Sequence, residues 1–240
     1  MKLIKSIAIL LTMIGGLASC DGMDTHYKDF IKDGPIVYIG KVDSLKAFAG
    51  RDRIQIEWRK LLDPRAKTAT IFWENGTKSV EVQLEPGKDM KYVIDGLAEG
   101  SYIFDVYTYD GLGNTSIKSE TTGTVYGAGY EKLLFNSQIK SAVLKNRILT
   151  VTFAAPQDNT LIGSEIRYIN TDGEEETANL VYRTVIKGDE ESEEPDKVVI
   201  NTKIEIKNLS GKRIEFRSVY LPEPTAIDYF YTDYDEYLIK

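Results

Sequence analysis

One stretch limits what this chain can fold into more than any other: residues 97–116, LAEGSYIFDVYTYDGLGNTS. It reads as a turn, a strongly alternating strand and a second turn. Tyr102, Phe104, Val106 and Thr108 fall on one face, and Ser101, Ile103, Asp105 and Tyr107 on the other. Period-two alternation marks a strand with two different faces. Leu97 and Gly100 form a corner before it. Asp110-Gly111 and Gly113-Asn114 stop it, because Gly and Asn tolerate the positive φ of tight turns. A tyrosine entering a strand just after such a corner can bond its hydroxyl back to upstream backbone, and Tyr102 is placed to do so.

Similar runs fill the rest of residues 34–126. A broken first strand is predicted over 35–40 and 45–49, then strands over 53–59, 68–73, 79–84, 92–94 and 117–125. Ile54, Ile56 and Trp58 share one face, as do Ala69, Ile71 and Trp73, so both tryptophans read as core residues rather than ligand platforms. About seven short strands at this spacing read as a β-sandwich. No ten-residue window shows a helical period.

Trp58 at the end of the second strand, Ile71-Phe72-Trp73 with Gly76 on the third, and Leu97, Gly100, Tyr102, Phe104 and Val106 resemble the fibronectin type III pattern. Residues 127–240 repeat the order with predicted strands over 139–144, 148–153, 164–170, 176–187, 198–206, 213–220 and 227–234. Aligning Leu97 with Leu209 sets Ile214 opposite Tyr102 and Phe216 opposite Phe104, so the second module lacks the corner tyrosine. Phe153 stands near the place of Trp58. The expected fold is all-β: two tandem fibronectin type III or immunoglobulin-like sandwiches, the second divergent. The junction, VYGAGYEKLLFNS, is too short for a flexible linker, so the modules are expected to touch.

Residues 1–19 read as a signal peptide. Lys2 and Lys5 precede a short apolar core, and Leu17-Ala18-Ser19 precedes the single cysteine, Cys20. This resembles the bacterial lipobox, which implies that Cys20 is lipidated and becomes the first mature residue. Residues 20–33 then form a polar tether. Lipid chains anchor a protein to a membrane without spanning it. Loss of Lys2 and Lys5 leaves 28 basic against 37 acidic side chains, a mature charge of −9.

That charge argues against a nucleic-acid partner, because phosphate binding needs concentrated basic surface. One cysteine excludes an intrachain disulfide and a zinc site of several thiolates. His26, the one histidine, lies in the tether, so no Ser/His/Asp relay forms in a folded site. Glu57, Glu74, Glu99 and Asp105 are available as a glycosidase pair, but two small sandwiches seldom offer a deep cleft. Asp110 to Asn114 reads as turn chemistry before it reads as a calcium loop. The acidic run 189–196 lacks the EF-hand spacing and reads as a solvated hairpin tip. No catalytic residue, metal ligand or cofactor site is assigned. In the last stretch Tyr229, Tyr231, Tyr234 and Tyr237 with Asp228, Asp233 and Asp235 read either as a sugar-binding strip or as an edge strand whose tyrosines flank the core.

Taken whole, the lipobox, the tandem modules and LPEP followed by AIDYFYTDY over 221–234 resemble a Bacteroides-type outer-membrane lipoprotein family with two tandem fibronectin type III-like domains. Such proteins are commonly encoded near glycan import systems. The resemblance implies a location and a context, and no site residues. The function expected from it is a non-enzymatic envelope lipoprotein, a binding or spacer module accessory to glycan capture at the outer membrane. Its expected partners are the membrane, through the lipid anchor, and a polysaccharide or outer-membrane protein. The alternative is a structural adhesin or assembly subunit that binds protein. Metabolic labelling with a fatty-acid analogue tests the anchor: the wild-type chain takes up label and Cys20→Ala does not.

Overall fold

The computed structural model describes residues 37–85, 87–187 and 196–240. Cys20, the expected signal peptide, the expected tether with His26, and the acidic run up to residue 195 lie outside them.

The first sandwich packs a three-stranded sheet on a four-stranded one. The order β1 (Asp43–Ala49), β2 (Arg53–Arg59), β5 (Met90–Asp95) faces β4 (Lys78–Gln83), β3 (Thr68–Trp73), β6 (Gly100–Tyr109), β7 (Ser119–Val125), all antiparallel. This is the fibronectin type III arrangement. The alternation predicted from sequence sets the faces. Ile54, Ile56 and Trp58 from one sheet meet Ala69, Ile71, Trp73, Phe104 and Val106 from the other in one buried core. Burying each large apolar side chain contributes about 1.5–3 kcal/mol, so the pattern is enforced at every strand. Trp58 and Trp73 are both core residues. The turn at Glu74, Asn75 and Gly76 runs through positive φ at all three residues.

The second sandwich repeats the plan with two alterations. The sheet β8 (Ile139–Lys145), β9 (Ile148–Phe153), β14 (Lys203–Lys207) faces β11 (Glu175–Val181), β10 (Leu161–Ile169), β15 (Arg213–Tyr220). Phe153 takes the central place in its core, with ring centroids 5.9 Å from Phe216 and 6.3 Å from Tyr182. Ile214 is buried where the first module has its corner tyrosine.

The first alteration is an inserted ribbon. The two long strands expected over 176–187 and 198–206 are each broken. Tyr182 turns inward, fully buried, with its hydroxyl 2.8 Å from Ser164 Oγ. Opposite it, the Asn201 N–H donates to Tyr182 O and the Phe153 N–H to Thr202 O. Beyond the break, among the described residues, β12 (Arg183–Ile186) and β13 (Lys197–Ile200) pair only with each other.

The second alteration is the last strand. Instead of one run over 227–234, two short strands, β16 (Phe230–Tyr231) and β17 (Asp235–Leu238), pair with β15 in turn. Residues 227 and 228 are drawn to the first sandwich, and Thr232 breaks the ladder by bonding Ser218 N–H through its hydroxyl. The first strand also differs from expectation. Residues 37–42 are irregular, and β1 starts at a bulge between Asp43 and Lys46, where Ser44 adopts φ 54°.

The two sandwiches are joined by a dense contact. The Ile227 N–H donates to Ala49 O at 2.7 Å, and the Arg51 N–H donates to Asp228 Oδ2 at 2.8 Å. Arg53 grips the same carboxylate with Nε at 2.9 Å and Nη2 at 2.6 Å. Arg51 holds Glu131 through both guanidinium tips at 2.6 Å, and its Cζ lies 4.6 Å from the Phe230 ring centroid. Such two-pronged pairs fix orientation as well as distance. Tyr126, Tyr130 and Phe230 form an edge-on triangle with centroids 4.9–6.1 Å apart. Burial pushes the Tyr126 hydroxyl up to about 12, and it donates to Glu223. A Cβ at Gly50 would lie 2.7 Å from Asp228 Oδ2, so only glycine admits this approach.

The junction contains a single helical turn, α1 (Ala128–Glu131), which the sequence pattern does not announce. It forms because Glu99, from the corner before β6, accepts the N–H groups of Gly129 and Tyr130 at 2.8 and 2.7 Å. The junction glycines are therefore held in place.

Two expectations follow. The Tyr102 hydroxyl donates to Ala98 O at 2.9 Å, as the corner requires, in a partly solvated position. Tyr102→Phe should cost about 0.5–1.5 kcal/mol, the net value of one such bond, in denaturant unfolding of the chain. At the joint, Arg53 holds Asp228 and Arg51 holds Glu131 below the ordinary carboxylate range. Carboxylates with depressed folded values stabilise fully above the unfolded pKa of about 4 and lose that effect as pH falls through the folded value. Small-angle scattering should show a fixed inter-module distance at pH 7 that broadens only below about pH 4. Asp228→Asn should broaden it already at neutral pH, with about 1–2 kcal/mol of coupling lost because Arg53 is half exposed.

Candidate binding surfaces

The acidic residues singled out by sequence are each occupied by a structural partner. Glu57 pairs with Lys91 at 2.7 Å, Glu74 with Lys78 at 2.9 Å and Asp105 with Lys118 at 3.3 Å, while Glu99 caps α1. Asp110 spends its oxygens on the Leu112 and Asn114 N–H groups and the Asn114 side-chain amide, which closes the β6–β7 turn. Those donors, the Asn114 amide first, hold its carboxyl below the usual range. Among the described residues, no group of three or more His, Cys, Asp or Glu could hold a metal ion.

The terminal aromatic and acidic strip is dismantled by the fold. Asp228 belongs to the joint. Asn136 Nδ2 donates to Asp233 O and to the Asp235 carboxylate, both at 2.9 Å. Tyr237 packs on the second core. Tyr231 and Tyr234 clamp the Arg217 guanidinium, with Cζ 4.1 and 4.6 Å from the two centroids, and Arg167 lies 4.0 Å from the Tyr234 centroid. Glu165 bridges Arg217, at 3.0 Å, and the Tyr234 hydroxyl. Cations stacked on these rings stabilise the sheet surface and cover the faces that a sugar would use.

The first sandwich leaves the corresponding face open. The outward residues of its four-stranded sheet run in rows set by the register. Gln83 and Tyr109 flank Thr68, Glu81 and Tyr107 flank Thr70, and Ser79 and Asp105 flank Phe72. Phe72 and Tyr107 meet edge-on at 5.9 Å. Ile103 continues the row beside Thr122 and is more than half exposed. Phe72, Tyr107 and Tyr109 are half-buried by their neighbours, and no other strand or helix of the described residues packs over them. The result is a flat apolar row edged by hydroxyl, amide and carboxylate groups. Such a surface stacks against the C–H face of a ring and offers hydrogen bonds at its rim.

Sequence placed Tyr107 and Ile103 on the outward side of β6 but did not assemble this surface. The signal was present in the phase of Phe72, Tyr107 and Tyr109, all opposite to the core residues of their strands. Which strands stand side by side was not.

Three solved structures resemble the chain weakly. The FN1–FN3 domains of chicken CNTN1 show 12% identity and a TM-score of 0.39, covering 85% of this chain and 66% of that one. A two-domain fibronectin type III segment of chicken tenascin shows 11% identity and a TM-score of 0.31, covering 83% and 99%. The BSP domain of a biofilm associated protein shows 13% identity and a TM-score of 0.28, covering 82% and 29%. No curated protein matches the chain. One family does, over residues 20–230, and the chain belongs to it: DUF4998, described as a domain of unknown function.

Proposed function

We propose that this protein is a non-enzymatic module of the cell envelope, anchored through Cys20 to the outer membrane, that binds polysaccharide and accompanies glycan capture. The observation that carries the reading is the open row of Phe72, Tyr107 and Tyr109 on the first sandwich, edged by Thr68, Thr70, Glu81 and Gln83. Aromatic rings on a flat face supply apolar area at low entropic cost, and the rim groups supply orientation. The joint supports the spacer part of the reading. Two bidentate ion pairs and a backbone bond hold the sandwiches in one arrangement, so a ligand on the first module is presented at a set distance from the second.

The lipobox and the resemblance to Bacteroides-type lipoproteins support the location. No helix of the described residues is long and apolar enough to cross a membrane. The second reading, a structural adhesin or assembly subunit that binds protein, is favoured by a different element, the exposed β12–β13 ribbon.

A glycan array separates them. Binding to one polysaccharide class, lost in Tyr107→Ala and Tyr109→Ala by about tenfold or more, supports the first reading, since one stacked ring is worth about 1–2 kcal/mol. A blank array together with a protein recovered by cross-linking supports the second.

A further inference from the structure

The first sandwich has two ends. Its strands β2 and β6 start at the joint, where Arg53 grips Asp228 and Glu99 caps α1, and they finish at Arg59 and Tyr109. Ten residues of β6 at about 3.3 Å each set the two ends about 30 Å apart. The far end is built from the loops at 60–67 and 110–118, with the chain at 38–40 held between them. The Gly40 N–H donates to Asp63 Oδ2 at 2.8 Å, Arg65 Nη2 donates to Tyr38 O at 3.3 Å, and the Ile39 N–H donates to Thr115 O at 3.4 Å. Each loop is closed by its own carboxylate: Asp63 takes the Arg65 N–H and guanidinium, and Asp110 takes the Leu112 and Asn114 N–H groups. What these loops turn outward is apolar. Leu62 is 90% and Leu112 87% exposed, and Tyr38 and Ile117 are each more than half exposed. A single exposed leucine is ordinary, but four large apolar side chains gathered at one end mark a contact surface.

We infer that this end of the first sandwich rests on a lipid bilayer, with Leu62 and Leu112 inserted at its surface and the second sandwich directed away from it. The inference rests on the reading of Cys20 as the lipid anchor. Two observations select a bilayer as the occupant. The first is where the chain arrives. The described residues begin at Val37, next to Tyr38 at this same end, and sixteen residues separate Val37 from Cys20. A chain of that length spans at most about 60 Å even when fully extended. A tether so short holds the bilayer at high effective concentration beside the end it enters. The second is charge. The segments 41–43, 59–67, 85–89 and 110–118 that make up this end carry seven cations and five carboxylates, whereas the whole chain has a net charge of −7. The negative excess therefore lies elsewhere on the protein, and this end is the one that lipid phosphates repel least. Apolar tips ringed by cations match the layering of a bilayer surface, acyl chains below and phosphates above. The contact also orients the open row of Phe72, Tyr107 and Tyr109. Its strands run away from the membrane, so the row opens sideways.

The test uses the chain from residue 20, with its single cysteine coupled to a maleimide lipid in vesicles of phosphatidylethanolamine and phosphatidylglycerol. Leu62→Trp and Leu112→Trp each add one indole at the loops, and Val143→Trp adds one at an exposed position on β8 of the second sandwich. All three positions are exposed, so the melting temperature should stay that of the parent chain. Trp58 and Trp73 are buried in the first core and give a constant background. In vesicles with brominated acyl chains, emission from the indoles added at positions 62 and 112 should shift to the blue and be quenched, while that from position 143 should stay unchanged. An unquenched indole at either loop, or equal quenching at position 143, overturns the proposal. The maleimide supplies an anchor whether or not cells lipidate Cys20, which keeps the two readings separable. Absence of fatty-acid label on Cys20 in cells sinks the anchor alone, and unquenched loops sink the bilayer contact alone.

Discussion

Asp228 sits twelve residues before the end of the chain and bonds to residues near the start of the first sandwich. Its carboxylate takes three donors, the Arg51 N–H and two nitrogens of Arg53, and the neighbouring Ile227 N–H joins Ala49 O. Much else follows from this crossing. Pulling residues 227 and 228 to the first module prevents a continuous last strand, so pairing with β15 resumes as two short pieces. The same displacement sets Phe230 into the triangle with Tyr126 and Tyr130 and brings it under Arg51. An ion pair between exposed groups is worth little. Here the partners are partly shielded, two-pronged and backed by packed rings, which makes the joint a fixed geometry instead of a transient contact.

The two sandwiches share one plan and use their outer faces differently. In the second, guanidinium groups occupy the ring faces: Arg217 lies between Tyr231 and Tyr234, with Arg167 on Tyr234. The ring faces there are covered, although Arg217 Nε is buried without a hydrogen-bond partner. In the first, the outward positions of β3 and β6 hold aromatic rings, with threonines between them and no arginine. The ring faces stay available. A face whose rings are covered by cations has little left for a ligand, whereas a face of rings without stacked cations and with polar rims has more.

The ribbon is a third use of the same scaffold. It is inserted where the second sandwich crosses from one sheet to the other, after Tyr182 and before Asn201, and both ends are pinned there by buried or backbone-directed bonds. The insertion leaves the core intact because the break falls at Tyr182, whose ring fills the interior next to Phe153. A sandwich tolerates added length at such a crossing because loop closure costs only slowly more with each residue.

Much of the architecture was legible from residues alone. The alternation of Ile54, Ile56 and Trp58, of Ala69, Ile71 and Trp73, and of Tyr102, Phe104 and Val106 reflects a local rule: one side of each strand must leave water. The Tyr102 bond to Ala98 spans four residues and is local as well. Breaks at Tyr182 and Thr232 were not legible, since each depends on a partner far along the chain, as do the grip of Arg53 on Asp228, the capping of α1 by Glu99 and the row of Phe72 with Tyr107. Nothing in the spacing of the terminal tyrosines distinguishes a sugar strip from a clamp on Arg217. Period and turn chemistry act over a few residues, so sequence by itself determined most strands of the two sheets, their buried faces and the corner. Long-range pairing of charges and rings acts only after the sheets have assembled, so tertiary structure alone decided the joint, the open face and the ribbon.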